Sequence, residues 1–495
     1  MKRYLLISLL LASCAVDNSP SISIDSSKTY QTIDGFGASD AWTIQFSDKW
    51  PAETVERAAD LLFSQDKGIG LSIWRFNLGA GSTYQGDDAQ IQPMTRTECF
   101  LMPDGSWDFD KQKAQVDFMK MAKERGVNTF IAFLNSPPVY FTQNGIATNT
   151  GRGGDFNLKP ECYGAFAEYM AKSAKGLAEN HGIDIDYICP VNEPDGHWNW
   201  QGPKQEGSPA TNAEIAHITR ELDEALTREN LDTKILVNES SDYRAMVSTH
   251  QTDADRGFAI QTLFNADSAS NVVGLKHVEK LIAGHGYWTN TPLDFLRTMR
   301  ENLNDTLTKF GVKFWMTEQC IMGNDEEIGG GQHFDTTMKT ALYVARCIHH
   351  DLVFANASSW QWWRAIGEDY RDGLLEDFGE ETIETGKLVD SRLLWCMGNY
   401  SRFVRPGAVR VGVSVDRLDS ATDSTSIMAS AYRNIDGSIV CVIINYSDTD
   451  HEYSIDGFSP KTMFVTSDEP GCKLKPIELS GKKITIPARS VVTVK

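Results

Sequence analysis

Two glutamates stand where paired-carboxylate chemistry would place them. Glu193 lies in Val191-Asn192-Glu193-Pro194, directly after the apolar run Tyr187–Val191. Glu318 lies in Phe314-Trp315-Met316-Thr317-Glu318-Gln319, again where an apolar run ends. An ionisable side chain is costly to bury without a partner, so each of these positions calls for a cause. Cleavage of a glycosidic bond supplies one: one carboxyl protonates the leaving oxygen while another meets the charge that develops on the sugar. Either segment alone also fits a turn that ends a strand, or a carboxylate that caps a helix. The pair is what points to chemistry.

The elements that must carry these residues follow from the hydrophobic patterning. Between about residues 33 and 398, short β-type runs alternate with longer helical patterns. The strands are expected at Ile33–Gly37, Leu71–Asn77, Thr129–Leu134, Tyr187–Val191, Lys234–Asn238, Leu281–Gly286, Lys313–Thr317 and Ser358–Trp362. Amphipathic helices are expected between most of them, such as Asp110–Arg125, Asn212–Glu229 and Phe334–Asp351. Parallel neighbours need crossover connections, so this alternation predicts βαβ units. Eight such units suit an α/β fold of the TIM type, a (β/α)8 barrel over 28–398, with a doubly wound open sheet as the alternative. Active sites of such barrels lie at the C-terminal ends of the strands, where Glu193 follows the fourth strand and Glu318 the seventh. After Trp395 the pattern changes to alternating β runs separated by turn signals such as Asn434-Ile435-Asp436-Gly437. This predicts a side β-sandwich over 399–495, which the strand-like segment 20–32 could join from the other end.

With both glutamates in place, the sequence resembles glycoside hydrolase family 30, a retaining family built on this barrel. Asp34-Gly35-Phe36-Gly37 and Ser401-Arg402-Phe403-Val404-Arg405-Pro406-Gly407 carry the likeness. Asn135-Ser136-Pro137-Pro138, Trp198 and Gln205-Glu206-Gly207 look like its endo-β-1,6-galactanase branch. Val139-Tyr140-Phe141 and Asp40-Ala41-Trp42 depart from that branch, which has more tryptophan there. The resemblance implies Glu193 as general acid/base and Glu318 as nucleophile, acting by double displacement on a β-linked polysaccharide or oligosaccharide. It implies that Asn192 bonds the sugar 2-hydroxyl, and that Arg75 and Tyr287 hold the nucleophile, with Arg75 keeping its pKa low. Substrate-binding roles are further expected for His285, Asn135, Asp40, Trp42 and Trp198. Arg75 also fits a barrel-end salt bridge, and His285 a satisfied buried histidine. β-1,6-Glucan, xylan or a terminal β-glycoside are alternative substrates, and a non-catalytic glycan-binding lipoprotein is a third reading.

Twelve tryptophans accompany the 495 residues. Sugars present flat C–H faces to aromatic rings, so tryptophans near strand ends suit a carbohydrate cleft. Trp200, Trp288 and Trp363 are among these. In Ser359-Trp360-Gln361-Trp362 the alternation puts both tryptophans on one face, and one of them, Trp360 or Trp362, is expected to floor the cleavage site. The formal net charge is 47 − 67 = −20. That disfavours nucleic acid and anionic membranes as partners. Lys2-Arg3 before the apolar run Tyr4–Leu11 describes an export signal over 1–13. Leu11-Ala12-Ser13-Cys14 resembles a bacterial lipobox, which implies lipidation of Cys14, a tether over 14–27 and anchoring to the outer membrane, at the cell surface or the periplasmic face, as the sole membrane contact. The other eight cysteines form no Cys-x-x-Cys pair and none has zinc spacing, so neither a metal nor a cofactor is expected.

Overall fold

The computed structural model describes residues 20–495 except 200–201, 203–204, 250–253, 323–324, 326, 369, 378–386 and 417–424. The export signal and Cys14 therefore lie outside the described residues, as does Trp200.

The first strand, β1 (Ser21–Thr32), belongs to the side sheet and not to the barrel. Eight parallel strands then close a barrel in chain order: β2 (Gly35–Ser39), β3 (Ile73–Asn77), β4 (Thr129–Phe133), β5 (Tyr187–Cys189), β6 (Lys234–Ser240), β7 (Val278–His285), β8 (Lys313–Glu318) and β9 (Ser359–Trp362), which pairs with β2. Each overlaps one of the eight expected strands. They read as near-continuous apolar runs because a parallel sheet clothed in helices is buried on both faces. The helices between them end where the sequence says they should. Thr211 and Glu214 form a reciprocal capping box at the start of Asn212–Arg228. Gly182 takes a left-handed backbone (φ 67°) to end Tyr163–His181.

Strand alternation divides the barrel into two environments. Ile73, Ile131, Leu236, Leu281, Ala283 and Trp315 face inward and plug the N-terminal half of the barrel with an apolar cluster. Two residues further along the same inward faces come Arg75, Phe133, Asn238, His285 and Thr317, so the C-terminal mouth is polar. The outward faces, including Trp74, Phe130, Ile282, Phe314 and Met316, pack with the helices in the main core.

Beyond the barrel, β10 (Ile366–Gly367), β11 (Leu375–Asp377) and β12 (Leu388–Asp390) form a small sheet. The side domain comprises β13 (Val409–Val415), β14 (Ile427–Arg433), β15 (Ile439–Asn445), β16 (His451–Asp456), β17 (Thr462–Thr466), β18 (Lys475–Glu478), β19 (Lys483–Ile486) and β20 (Ser490–Val494). Together with β1 they run in the order β18-β17-β20-β15-β14-β13-β1-β16-β19. β1 is antiparallel to β13, with Ile22 opposite Val415, and parallel to β16, with Ser21 opposite Ser454. The segment 20–32 joins the sandwich as its strand-like pattern predicts, so residues 21–27, also expected as the end of the tether, are part of this strand. Their polar side chains alternate with Ile22 and Ile24, which are buried in the sandwich core. The eight cysteines among the described residues are all free thiols, and Cys189, Cys320 and Cys441 are buried as small hydrophobes. Among the described residues no helix is long and apolar enough to cross a membrane.

Candidate active site

Glu193 and Glu318 come together at the barrel mouth, Glu318 as the last residue of β8 and Glu193 in the loop four residues beyond the end of β5. One oxygen of each carboxylate and a ring nitrogen of His285 lie within 4.8 Å of one another. Arg75, wholly buried on β3, stacks on Phe133 at 3.7 Å and donates in three directions. Nη1 reaches Glu318 Oε2 at 2.7 Å, and Nη2 reaches Asn192 Oδ1 at 2.8 Å and Glu239 Oε2 at 3.3 Å. Tyr287 donates its hydroxyl to Glu318 Oε1 at 2.8 Å. His285 bridges two carboxylates, with Nδ1 3.1 Å from Glu193 Oε1 and Nε2 2.8 Å from Glu239 Oε2.

The chain geometry around these groups is constrained. Glu193 and Glu239 both have left-handed backbones, with φ of 47° and 56°. Non-glycine residues rarely occupy that region, and such strain concentrates at functional sites. The Glu193 amide donates to the Glu239 carbonyl at 2.9 Å, which locks the two strand ends together. Asp195 reinforces the link by accepting from the Ser241 amide at 2.8 Å.

Electrostatics follow from burial opposed by pairing. Burial alone would lower the His285 pKa, but Glu318, Glu193 and Glu239 outweigh it and hold the imidazole at about 10, protonated at neutral pH. Burial would raise Glu239, yet Arg75, His285 and Thr317 hold it at about 2. Glu318 differs from the expectation that Arg75 keeps its pKa low. Burial is the largest influence and, with Glu193 close by, pushes Glu318 upward against the pull of His285 and Arg75. Glu193, His285 and Glu318 also have the spacing of three metal ligands. A histidine held as a cation between carboxylates, beside a buried arginine, is an ion-pair network in which the positive charge is already supplied.

The remaining expected residues take separate places. Asn192 and Asn135 join the network: Asn192 Nδ2 donates to Asn135 Oδ1 at 3.0 Å. Asp40 is buried as a brace, accepting from the Asn77 amide at 2.8 Å and from Gln115 Nε2 at 3.0 Å, and burial raises it to about 7. Trp42 meets Trp363 edge-on at 5.2 Å. Trp198 lines the cleft and donates Nε1–H to the Glu193 carbonyl at 3.0 Å. Its ring lies flat on Gly207, where a Cβ would come within 2.1 Å of it.

Trp360 and Trp362 do not floor the site. Both have no exposed surface; Trp360 donates to Asp351 and Trp362 to the Asp372 carbonyl. They share a face of β9 as expected, but it is the outer one, packed in the main core. The inward face carries Ser359 and Gln361, and the next residue in that phase, Trp363, lines the cleft beside Glu193 and Glu318. The cleft encloses about 1060 Å³ of empty space, and among the described residues its lining has neither lysine nor arginine.

One central residue was missed from the sequence. Glu239 ends β6 in Ile235-Leu236-Val237-Asn238-Glu239, the same apolar-run-then-carboxylate pattern that marks Glu193 and Glu318. That signal was present in the sequence and applies equally to all three.

Comparison with known proteins places this geometry among relatives. Residues 19–376 match the profile of O-glycosyl hydrolase family 30, and residues 407–494 match the family 30 glycosyl hydrolase β-sandwich domain. An endo-β-1,6-galactanase of Hypocrea rufa is 23% identical over 384 residues, covering 73% of this chain and 70% of that protein. Glucuronoxylanase XynC of Bacillus subtilis is 22% identical over 343 residues, 68% of this chain and 64% of that one. The crystal structure of a conserved exported protein from Bacteroides fragilis is 34% identical with a TM-score of 0.88, covering 96% of this chain and 99% of that chain.

Proposed function

Because the chain belongs to glycoside hydrolase family 30, we propose that this glycoside hydrolase is an endo-β-1,6-galactanase that works by retaining double displacement. Glu318 attacks the anomeric carbon as the bond to the leaving sugar breaks, and Glu193 gives its proton to the leaving oxygen. Water then gives a proton to Glu193 and attacks the same carbon, releasing Glu318 from the glycosyl ester.

The observation that carries this reading is the approach of the two carboxylates, with oxygens within 4.8 Å. Retaining pairs stand about 5–5.5 Å apart, whereas inverting pairs leave about 6.5–9.5 Å for an intervening water. Charge balance and hydrogen-bond partners support the roles. Arg75 and protonated His285 bring two positive charges against three carboxylates, so one proton neutralises the cluster. Glu318 accepts from Arg75 and Tyr287, and Glu239 accepts from Arg75, His285 and Thr317. Glu193 meets His285 alone among these groups, and the proposal gives it the acid/base role. Asn192 gives its carbonyl to Arg75 and one amide hydrogen to Asn135, which leaves its second amide hydrogen for a sugar hydroxyl.

The galactan assignment is supported by the named activity of the Hypocrea rufa relative. Among the described residues the cleft lining includes no lysine or arginine, which suits a neutral glycan better than a uronic-acid-bearing one. Sugar release from β-1,6-galactan, β-1,6-glucan and glucuronoxylan tests it, with galactan expected to be cleaved fastest. Glu193→Gln and Glu318→Gln should each cut turnover by roughly 10³-fold or more. Preference for another glycan sinks the substrate, and undiminished turnover in either variant sinks the roles. Export and lipidation at Cys14 belong to the same proposal and are supported by the N-terminal signal pattern.

A further inference from the structure

At the opposite end of the barrel from the cleft, a pocket of about 830 Å³ opens between the end of β1, the helix Leu293–Phe310 and the loop before β9. Its lining includes Tyr30, Gln31, Asn304, Thr308, Lys313 and Asn356. Lys313 is the first residue of β8 and Glu318 the last. At roughly 3.3 Å for each residue step, the pocket lies about 17 Å down the strand from the nucleophile. Substrate held wholly within the cleft cannot touch it.

Tyr30 is 38% exposed, yet its ring is firmly held. The buried Arg410 lays its guanidinium 3.8 Å from the ring centre, and Lys28 borders the ring at 5.5 Å. Arg410 is itself fixed, with Nε donating to Gln31 Oε1 at 2.8 Å and Nη2 to Asn356 Oδ1 at 2.7 Å. Gln31 Nε2 in turn donates to the carbonyls of Leu352 at 2.6 Å and Ala357 at 3.1 Å. Among the described residues the hydrogen bonds of Arg410 go to neutral oxygens, an expensive way to bury a cation. What that expense secures is an aromatic ring fixed at the surface. Polar groups stand beside the ring. Asn356 Nδ2 donates to Asn304 Oδ1 at 2.7 Å, and among the described residues Asn304 keeps both amide hydrogens for another acceptor. Thr308 adds a hydroxyl on the exposed last turn of its helix. The described lining has no carboxylate, and its one charged member, Lys313, is paired with Asp34 at 2.8 Å. A fixed aromatic ring with amides and a hydroxyl around it suits a pyranose, whose C–H face stacks while its hydroxyls bond to the polar groups.

We propose that this pocket is a second glycan-binding site, remote from the cleft, which holds one stretch of the polysaccharide while the cleft cuts another. Tyr30 is its stacking surface, and Asn304 and Thr308 bond the sugar hydroxyls. Two attachment points on one polymer raise its apparent affinity without any change at the cleft. The identity of the glycan rests on the galactanase reading; the existence of the site does not.

Affinity electrophoresis through gels containing β-1,6-galactan, β-1,6-glucan or glucuronoxylan tests the site, with Glu318→Gln protein so that the glycan is not consumed. Adding Tyr30→Ala, or Thr308→Arg to fill the pocket from the helix surface, should weaken binding to galactan by about threefold or more. With Glu318 restored, either change should raise KM on galactan by a similar factor. It should leave kcat/KM on a short galacto-oligosaccharide within about twofold. Thr308→Arg leaves Tyr30 and its supports intact and decides the case if Tyr30→Ala does not fold. Retardation unchanged in every gel overturns the proposal, as does an equal loss on polymer and oligosaccharide. If galactan is neither bound nor cleaved while another glycan is retarded through Tyr30, the galactanase reading falls and the site stands.

Discussion

Replacing Glu239 with glutamine removes one charge from the centre of the network while preserving its shape. Arg75, His285 and Thr317 all donate to a single oxygen, Oε2, at 3.3, 2.8 and 2.6 Å. A glutamine oxygen in that place keeps all three bonds, so the change is electrostatic. With charge centres about 4 Å apart and an effective dielectric constant of about 20, the lost attraction to His285 is 332/(20 × 4), or about 4 kcal/mol. At 1.36 kcal/mol per pH unit this should lower His285 by about three units, from about 10 to roughly 7. The effect on stability has a definite sign. Because the folded-state pKa lies above the unfolded value of 6.5, the contribution of His285 is fully present below pH 6.5 and is lost as pH rises towards about 10. In the variant that loss is complete near pH 7. The wild-type protein should thus be more stable than Glu239→Gln at pH 6, by several kcal/mol, and the gap should narrow by roughly 3 kcal/mol by pH 9.5. Nitrogen-15 NMR of labelled histidine follows the ring directly, with the His285 signal identified by its loss in His285→Gln. Urea unfolding at both pH values follows the gap. A His285 titration that moves by less than one unit, or stability curves that stay parallel between pH 6 and 9.5, would refute the reasoning.

Two further outcomes follow from the structure and the N-terminal sequence. Tyr287→Phe removes a hydrogen bond to an ionised acceptor, worth about 1.5–3 kcal/mol. In the transition state this should lower kcat by roughly 10- to 100-fold in steady-state assays, and a change within twofold would exclude Tyr287 from positioning the nucleophile. Cys14→Ser should move the exported chain from the membrane fraction to the soluble one on fractionation of expressing cells; retention on the membrane would rule out this thiol as the anchor.

Much of the barrel was legible because its signals are local. A parallel strand covered on both sides needs a continuous apolar run, and a helix on the outside needs one apolar stripe, and neither depends on what the rest of the chain does. Carboxylates at the ends of such runs stand out because burying them alone is costly, which is how Glu193 and Glu318 were visible and how Glu239 could have been. Segment 21–27 gave two readings, the end of a tether and an added strand of the sandwich, and only the second holds. Only Ile22 and Ile24 in it are apolar enough to betray a strand, and its partners β13 and β16 lie some 390 and 430 residues further along the chain.

By itself the sequence determined the kinds of element, their order, and the two glutamates at the ends of the fourth and seventh barrel strands. Tertiary structure alone decided how these groups act on one another. Alternation along β9 puts Trp360 and Trp362 on one face, but only closure of the barrel makes that face the outer one and leaves Trp363 to the cleft. Types and spacings likewise say nothing of which cation meets which carboxylate. Arg75 reaches Glu318 across 243 positions, and His285 stands between Glu193 and Glu239. The physical reason is that the charge of a buried group is set by neighbours within a few ångströms, and those neighbours are chosen by strands that only the closed barrel brings together.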